Sequence, residues 1–107
     1  MTLDEYSQWA ATIAKPGASR NERLTYLALA LIGEAGEVCD NIKNLIRDGK
    51  LDEERLAYEL GDLIYYWTCL CVELGQAPSD MLAKSRTNIE GRLAERRRIS
   101  HGAAHRG

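Results

Sequence analysis

Two long stretches of the sequence place apolar residues at alternating steps of four and three, which is the spacing of helices that pack along a neighbour. The first runs from about Asn21 to Arg47 and stops at Gly49, and its apolar positions are Leu24, Ala28, Leu31, Ala35, Val38, Ile42 and Leu45. The second follows Asp52, a favourable N-cap, and ends at Gly75. Its apolar positions are Leu56, Leu60, Leu63, Trp67, Leu70 and Leu74. Because no segment alternates with the period of two that is typical of strands, the sequence predicts an all-α fold.

Two further helical segments flank this pair. A first helix is predicted from Leu3 to Ala14, and a fourth opens at Pro78 and runs to about Arg97. Residues 15–19, with a proline and a glycine, form the first loop. Since short connections favour antiparallel neighbours and the first helix is the shortest, we expect a four-helix bundle that dimerisation completes.

The 107 residues suffice for one domain, which we expect to cover residues 1–99, with a flexible tail over residues 100–107. Charge is divided unevenly along the chain. From Arg92 onwards there are five arginines and one acid, Glu95, which gives +4 and leaves −6 for residues 1–91. An acidic body with a basic end fits nucleic acid poorly as a partner. It favours a protein that binds a cation in its body and an anion near its end.

The sequence contains no apolar run of about 18 residues, so neither a transmembrane helix nor a membrane partner is expected. Its first residues lack the basic-then-apolar layout of a signal peptide. Cys39, Cys69 and Cys71 are an odd number without metal-ligand spacing and are interpreted as reduced thiols. We therefore expect a cytoplasmic protein.

Each long helix carries two acids with a glycine between them, in the segments Glu34-Ala35-Gly36-Glu37 and Glu59-Leu60-Gly61-Asp62. When Leu31 and Leu56 are given the same heptad position, both pairs have the same phase, and antiparallel packing then lets four carboxylates converge. Two unit charges about 4 Å apart repel by about 4 kcal/mol at an effective dielectric constant of about 20. Protonation or a bound cation would relieve this repulsion, and oxygen ligands favour Mg²⁺ or Mn²⁺ over Zn²⁺.

Other interpretations of the acid pairs remain open. Two acids three residues apart most often form a solvated helix face. A glycine within a helix costs about 1 kcal/mol relative to alanine, so Gly36 and Gly61 indicate close approach of either the facing helix or a ligand. A di-iron carboxylate bundle is excluded because it needs Glu-x-x-His on two helices, whereas the only histidines are His101 and His105. Nucleophilic catalysis and a phosphate-binding glycine loop have no matching residues within one element.

The segments 24–38 and 59–66 resemble the MazG-like nucleoside triphosphate pyrophosphohydrolases, whose motif is Glu-x-x-Glu, a spacer and Glu-x-x-Asp. The similarity covers about residues 3–96. It implies a dimeric or tetrameric all-α enzyme that uses Mg²⁺ to cleave a (deoxy)nucleoside triphosphate to the monophosphate and pyrophosphate. By motif match, the metal ligands would be Glu34, Glu37, Glu59 and Asp62. Glu34 and Glu37 are the catalytic candidates, with Glu34 preferred for the attacking water; some relatives carry a further Glu at the position of Gly33.

Basic and aromatic side chains are candidate substrate contacts. Four polar residues spaced by four on the fourth helix would contact the phosphates: Lys84, Asn88, Arg92 and Arg96. Lys43 and Arg47 would do the same from the second helix. Tyr66 follows Asp62 by four residues and would contact a phosphate or the sugar, and Trp9 would stack on the base. Solvated helix surface is the alternative for the cations, and core packing is the alternative for the two aromatic residues.

The sequence thus predicts an Mg²⁺-dependent pyrophosphohydrolase, active as a homodimer or homotetramer, that removes non-standard or excess nucleotides. A non-catalytic helical module that binds nucleotide or a partner helix is the alternative. A third hypothesis, within the same superfamily, is cleavage of phosphoribosyl-ATP, dUTP or dCTP.

Overall fold

The computed structural model describes residues 1–13 and 18–106, and these residues form four α-helices and no strand. The helices are α1 (Leu3–Ala11), α2 (Arg20–Asp48), α3 (Glu53–Glu73) and α4 (Pro78–Arg106). The predicted all-α class is confirmed for this part of the chain. None of the four helices is long and apolar enough to cross a membrane.

The first helix is shorter than predicted. It ends at Ala11, because the amides of Thr12 and Ile13 donate to carbonyl oxygens only three residues back and tighten the last turn. The predicted last residue, Ala14, and the predicted loop residues 15–17 lie outside the described residues.

The fourth helix is longer than predicted. It continues past the predicted end near Arg97 to Arg106, so residues 98–106 are helical. The flexibility expected of residues 100–107 stays a prediction. No proline follows Pro78 in the sequence, and arginine is a good helix former, so a helix can continue there without an apolar stripe. The division of the chain at residue 99 stays a prediction.

The ends of α2 and α3 follow the predicted signals. Gly49 has a φ of 69° and donates its amide to the Leu45 carbonyl oxygen, which closes α2. The Asp52 carboxylate accepts the amide of Arg55 at 3.0 Å and caps the start of α3. Gly75, with a φ of 66°, follows its end. The caps leave short links, so α2 and α3 turn back on each other.

The two long helices lie antiparallel, and the residues that join them occur in opposite order along the two helices. Three contacts fix this register: the ion pair Arg23–Glu73 at 2.5 Å, the edge-to-face rings Tyr26–Tyr66 with centroids 6.4 Å apart, and the hydrogen-bonded pair Asn41–Asp52. The Asn41 amide nitrogen donates to the Asp52 carbonyl oxygen at 2.9 Å, and its oxygen accepts the Asp52 amide at 3.3 Å. Polar contacts therefore hold both ends of the α2/α3 interface.

The most buried line of α2 differs from its predicted apolar seam. Leu27 and Asn41 are buried, and the half-buried Glu34 lies seven residues from each of them. In contrast, Ile42 and Leu45 of the seam are each 38% exposed. Helix α2 is thus rotated so that Glu34 enters the interface with α3.

Helix α1 packs on α3, and α4 contacts α1 and α3. The Asp4 carboxylate accepts the Ser79 amide at 3.0 Å and the Ser79 hydroxyl at 2.6 Å, which ties α1 to the start of α4. Beyond this start, every side chain of residues 82–102 is exposed, and within the described residues α4 makes no contact with α2. Most of α4 therefore extends away from the other helices.

Few apolar side chains are buried in the protomer. Among the described residues, the buried hydrophobic ones are Ala10, Leu27 and Cys71. The radius of gyration is 18.7 Å, whereas a compact domain of about this size has one near 13 Å. The elongated protomer leaves apolar faces of its long helices uncovered.

Candidate metal centre

The four predicted acidic ligands lie midway along the α2/α3 interface. Glu34 and Glu37 are supplied by α2, and Glu59 and Asp62 by α3. Glu59 is only 3% exposed and Glu34 is half-buried, whereas Glu37 and Asp62 are exposed. Each helix therefore contributes one interior acid and one acid at the surface, as the equal phase of the two pairs predicts.

The charges of the other three acids affect the pKa of Glu34. Burial raises the pKa of its carboxyl, and the charges of Glu37, Asp62 and Glu59, together with a hydrogen bond with Glu37, raise this pKa further. All of these effects favour the neutral form. A cation placed among the four acids would oppose them, because it favours the charged form.

Glu59 has a cationic partner on one side only. Its Oε1 accepts the Arg55 Nε at 2.9 Å, while its Oε2 is buried without a hydrogen-bond partner. The Oε2 atom of Glu34 is also buried and unpartnered. Buried carboxylate oxygens normally have partners. Two such oxygens, one from each helix, fit a hard divalent cation such as Mg²⁺ or Mn²⁺.

The side chains are not yet arranged as a complete set of metal ligands. In the ranges 1–13 and 18–106, no group of three or more histidine, cysteine, aspartate or glutamate side chains is positioned to hold a metal ion. Instead three of the four acids, Glu37, Glu59 and Asp62, line an open groove of about 370 Å³, and Glu34 does not line it. The other residues of its walls are Asp52, Glu54, Arg55 and Tyr58. Side-chain rotation towards a common point would therefore accompany metal binding.

An aromatic cleft adjoins this acid groove and shares Glu54, Tyr58 and Asp62 with it. The other residues that line the cleft are Tyr6, Trp9, Ala57, Gly61 and Tyr65. Trp9 is 52% exposed, and its ring centroid lies 5.4 Å from that of Tyr6 and 6.2 Å from that of Tyr65. The predicted base contact thus lies beside the acids with part of its ring free, which argues against simple core packing.

Tyr66 also lies close to the acids. It is half-buried and its hydroxyl is hydrogen-bonded to Tyr26. Burial has the largest effect and raises the pKa of Tyr66. The hydrogen bond and charge of Tyr26 and the charges of Glu34 and Asp62 raise this pKa further. Its place between the helices is accounted for by the Tyr26 contact, and a contact with substrate stays a prediction.

The predicted cations of α2 are directed at their own helix. Lys43 lies 3.7 Å from the Asp40 carboxylate, and Arg47 contacts Asp48 and Asn44. Neither Lys43 nor Arg47 lines the acid groove. The protomer therefore does not bring these two residues to the acids.

The predicted contacts on α4 are also separate from the acids. Lys84 donates to the Gln76 side-chain oxygen at 3.2 Å, and the other three, Asn88, Arg92 and Arg96, are exposed. Because α4 does not contact α2, a single protomer does not join these residues to Glu34 and Glu37.

The glycines of the acid pairs are not explained by packing within the protomer. A Cβ atom added at Gly36 or Gly61 would meet no atom within 4 Å. Close approach of the facing helix is therefore excluded as their cause, and approach of a ligand or of a second chain stays open. Gly61 lies in the wall of the aromatic cleft, where a side chain would narrow the opening.

Sequence reasoning missed Arg55, Tyr58 and Glu54 as residues of the groove. The signal for Arg55 is its position four residues before Glu59, which places both side chains on one helix face. Tyr58 and Glu54 carry no comparable signal, because exposed residues of these types are common on helices.

These features define a helical protein with a carboxylate-lined groove between two antiparallel helices. The family model for the MazG nucleotide pyrophosphohydrolase domain matches residues 22–86, which include all four acids. The chain belongs to the MazG nucleotide pyrophosphohydrolase family, as the motif resemblance predicts. Members of this family are hydrolases.

A relative in Mycobacterium phage L5, named Gene 37 protein, is 32% identical over 101 residues. The similarity covers 86% of this chain and 89% of the phage protein. The comparison with solved structures gave no significant match. The family assignment therefore rests on sequence comparison, and the four acids of the matched segment lie on α2 and α3.

Proposed function

We propose that this protein is an Mg²⁺-dependent nucleoside triphosphate pyrophosphohydrolase that converts a (deoxy)nucleoside triphosphate and water to the monophosphate and pyrophosphate. The observation that carries the proposal is the pair of buried, unpartnered oxygens, Glu34 Oε2 and Glu59 Oε2, at the centre of the family's acid motif. Removal of non-standard or excess nucleotides is the corresponding cellular role. A reducing compartment such as the cytoplasm suits the free thiols Cys39, Cys69 and Cys71.

The residues that would hold the metal are Glu34, Glu37, Glu59 and Asp62, with Mn²⁺ as a possible substitute for Mg²⁺. When bound, the ion supplies positive charge for the triphosphate and acts as a Lewis acid. Without it, about four negative charges of the substrate would oppose an acidic groove that contains one cationic side chain, Arg55.

The protein's own part in the reaction is to position the attacking water. Glu34 Oε2 has no protein partner and accepts a hydrogen bond from this water. The water oxygen bonds to the α-phosphorus while the bond from this phosphorus to the oxygen bridging to the β-phosphorus breaks. Pyrophosphate leaves, and the proton of the water passes to a carboxylate of the site, Glu34 in our assignment, with Glu37 as the second candidate.

The aromatic cleft is our candidate for the nucleoside. The free part of the Trp9 ring offers a stacking surface for a base, and the shared wall of Tyr58 and Asp62 joins the cleft to the acid groove. Tyr66 is the candidate for a sugar or phosphate contact from the interior side. Cleavage of a more specific substrate, such as dUTP, dCTP or phosphoribosyl-ATP, would use the same groove.

A homodimer or homotetramer is the proposed active form. The protomer has few buried apolar side chains, and α2 exposes Leu29, Ile32 and Ile46 on one face. Covering this face with a second copy would enlarge the core. A second copy would also be the source of the α4 cations, Lys84, Arg92 and Arg96, and of Asn88, since these side chains do not reach the acids of their own protomer.

The test is a phosphate-release assay with added inorganic pyrophosphatase over a panel of NTPs and dNTPs, with Mg²⁺ or with EDTA. Activity should require Mg²⁺ and disappear in the double variant Glu37→Gln/Asp62→Asn. The control double variant Glu90→Gln/Asp80→Asn makes the same change of charge on α4 and should keep activity. Activity that survives Glu37→Gln/Asp62→Asn would refute the site.

Measurements on the same protein distinguish the enzyme from the alternative, a non-catalytic binding module, which the exposed apolar face of α2 would also suit. The enzyme predicts that Mg²⁺ raises the melting temperature, because a ligand of the native state alone stabilises it by mass action. The binding module predicts nucleotide binding without turnover and a melting temperature that Mg²⁺ does not change.

A further inference from the structure

Within the described part of the chain, Arg55 is the one cationic side chain that lines the acid groove. Its Nε donates to Glu59 Oε1 at 2.9 Å across one turn of α3. The two partners differ sharply in exposure, since the Arg55 side chain is 62% exposed and the Glu59 side chain 4%. The carboxylate is thus fixed in the interface, while the guanidinium lies at the edge of the groove.

This arrangement allows another cation to take the place of the Arg55 guanidinium beside Glu59. A buried carboxylate needs a nearby positive charge, and Arg55 supplies it on one oxygen only. A divalent cation bound among the acids would supply more charge to the same carboxylate and would repel the guanidinium. The exposed Arg55 side chain can rotate away into solvent without unfolding α3. The backbone amide of Arg55, which the Asp52 carboxylate accepts, would keep its hydrogen bond.

We propose that Arg55 exchanges partners during binding, from Glu59 before the metal ion binds to a phosphate oxygen of the substrate afterwards. The inference rests on the proposed metal-dependent function. A guanidinium displaced from Glu59 stays on the groove wall, where a polyphosphate bound through metal would lie, and its planar donors suit phosphate oxygens. Metal and polyphosphate then favour each other's binding, because the ion releases the cation that the polyphosphate needs.

The experiment compares wild type, Arg55→Met and Arg86→Met. Arg86→Met is the matched control, since Arg86 pairs with Glu90 at the same spacing and at 2.7 Å, on α4 and outside the groove. Binding of Mn²⁺ alone is measured from the free-ion signal in electron paramagnetic resonance. Binding of Mg²⁺-tripolyphosphate, a probe without base or sugar, is measured by calorimetry. Circular dichroism checks that each variant is folded.

Arg55→Met should bind Mn²⁺ about threefold to fivefold more tightly, because the competing cation of an ion pair with one exposed partner is removed. It should bind Mg²⁺-tripolyphosphate about tenfold more weakly, because a charged donor is lost. Arg55→Lys keeps the charge and should restore the competition with Mn²⁺. Arg86→Met should match wild type in both titrations.

Three negative results have different meanings. The first case is that wild type binds Mn²⁺ and Glu59→Gln abolishes this binding. If Arg55→Met then binds Mn²⁺ no more tightly than wild type, the exchange of partners is wrong while the metal site stands. If Arg55→Met tightens Mn²⁺ binding but leaves tripolyphosphate binding unchanged, the second half of the exchange is wrong. If wild type and Glu59→Gln both fail to bind Mn²⁺, the proposed metal-dependent function fails together with the inference.

Discussion

Asn41 joins the two helices that carry the acids, and its replacement offers the most direct test of the interface. Asn41 is 4% exposed, and its side chain makes two hydrogen bonds to the backbone of Asp52, at 2.9 and 3.3 Å. In Asn41→Ala both bonds are lost. The Asp52 carbonyl oxygen keeps the amide of Leu56 as a partner, so the Asp52 amide is the group left without one.

Two hydrogen bonds contribute about 1 kcal/mol each, and the unpartnered amide and the space left by the removed side chain add to the loss. We expect Asn41→Ala to lower the free energy of unfolding by about 2 to 3 kcal/mol, a large part of the 5 to 15 kcal/mol typical of a domain. Urea denaturation followed by circular dichroism, at one fixed protein concentration, measures this difference.

Asn44→Ala is the matched control for this prediction. Asn44 lies on the same helix, but its side-chain oxygen accepts a hydrogen bond from the exposed guanidinium of Arg47. Its removal should change the free energy of unfolding by less than about 0.5 kcal/mol. If Asn41→Ala costs no more than Asn44→Ala, the Asn41–Asp52 pair does not hold the α2/α3 register.

Two further predictions concern the junction of α1 with α4 and the exposed face of α2. Hydrogen bonds from the Ser79 hydroxyl and then the Ser79 amide lower the pKa of Asp4, so its contribution to stability is present above its ordinary pKa near 3.8 and is lost as the pH falls through the lowered value. Asp4→Asn should therefore have a smaller free energy of unfolding than wild type at pH 6, and this difference should shrink below about pH 4. Urea melts of both proteins across this pH range measure the difference. A difference that stays constant with pH would contradict the prediction. Ile32→Glu, at a side chain 67% exposed, should leave a protomer folded but monomeric in light scattering, whereas an unchanged molar mass would exclude this face from the oligomer contact.

Much of the fold follows from periodicity and capping. The steps of four and three predict α2 and α3, and local chemistry marks their ends, since Gly49 provides the left-handed residue and Asp52 the N-cap. The equal phase of the two acid pairs predicts their convergence. Each of these predictions depends on neighbours within a few residues or on one helix–helix contact, which is why sequence suffices.

Other features depend on partners distant in the chain. The bond between Asp4 and Ser79 orients the start of α4, and no spacing rule connects residues so far apart. The ion pair of Arg55 with Glu59 has a spacing that sequence shows, but its importance comes from the burial of Glu59, which only the packed helices reveal. The course of α4 escaped prediction for the same reason, because its apolar residues Leu82, Ile89 and Leu93 are exposed, and their spacing alone does not say what they would pack against.

The position of the acids and the apolar exposure of α2 have one geometric cause. At about 100° per residue, Ile32 lies about 160° around the helix from Glu34, so a rotation that turns Glu34 towards Glu59 turns Ile32 outward. Leu29, Cys39 and Ile46 are also exposed and lie on the same outer side. A rotation that buried this outer side against α3 would carry Glu34 to the surface and separate the two acid pairs. The interior position of Glu34 and the exposure of Leu29, Ile32 and Ile46 are therefore two results of one orientation of α2.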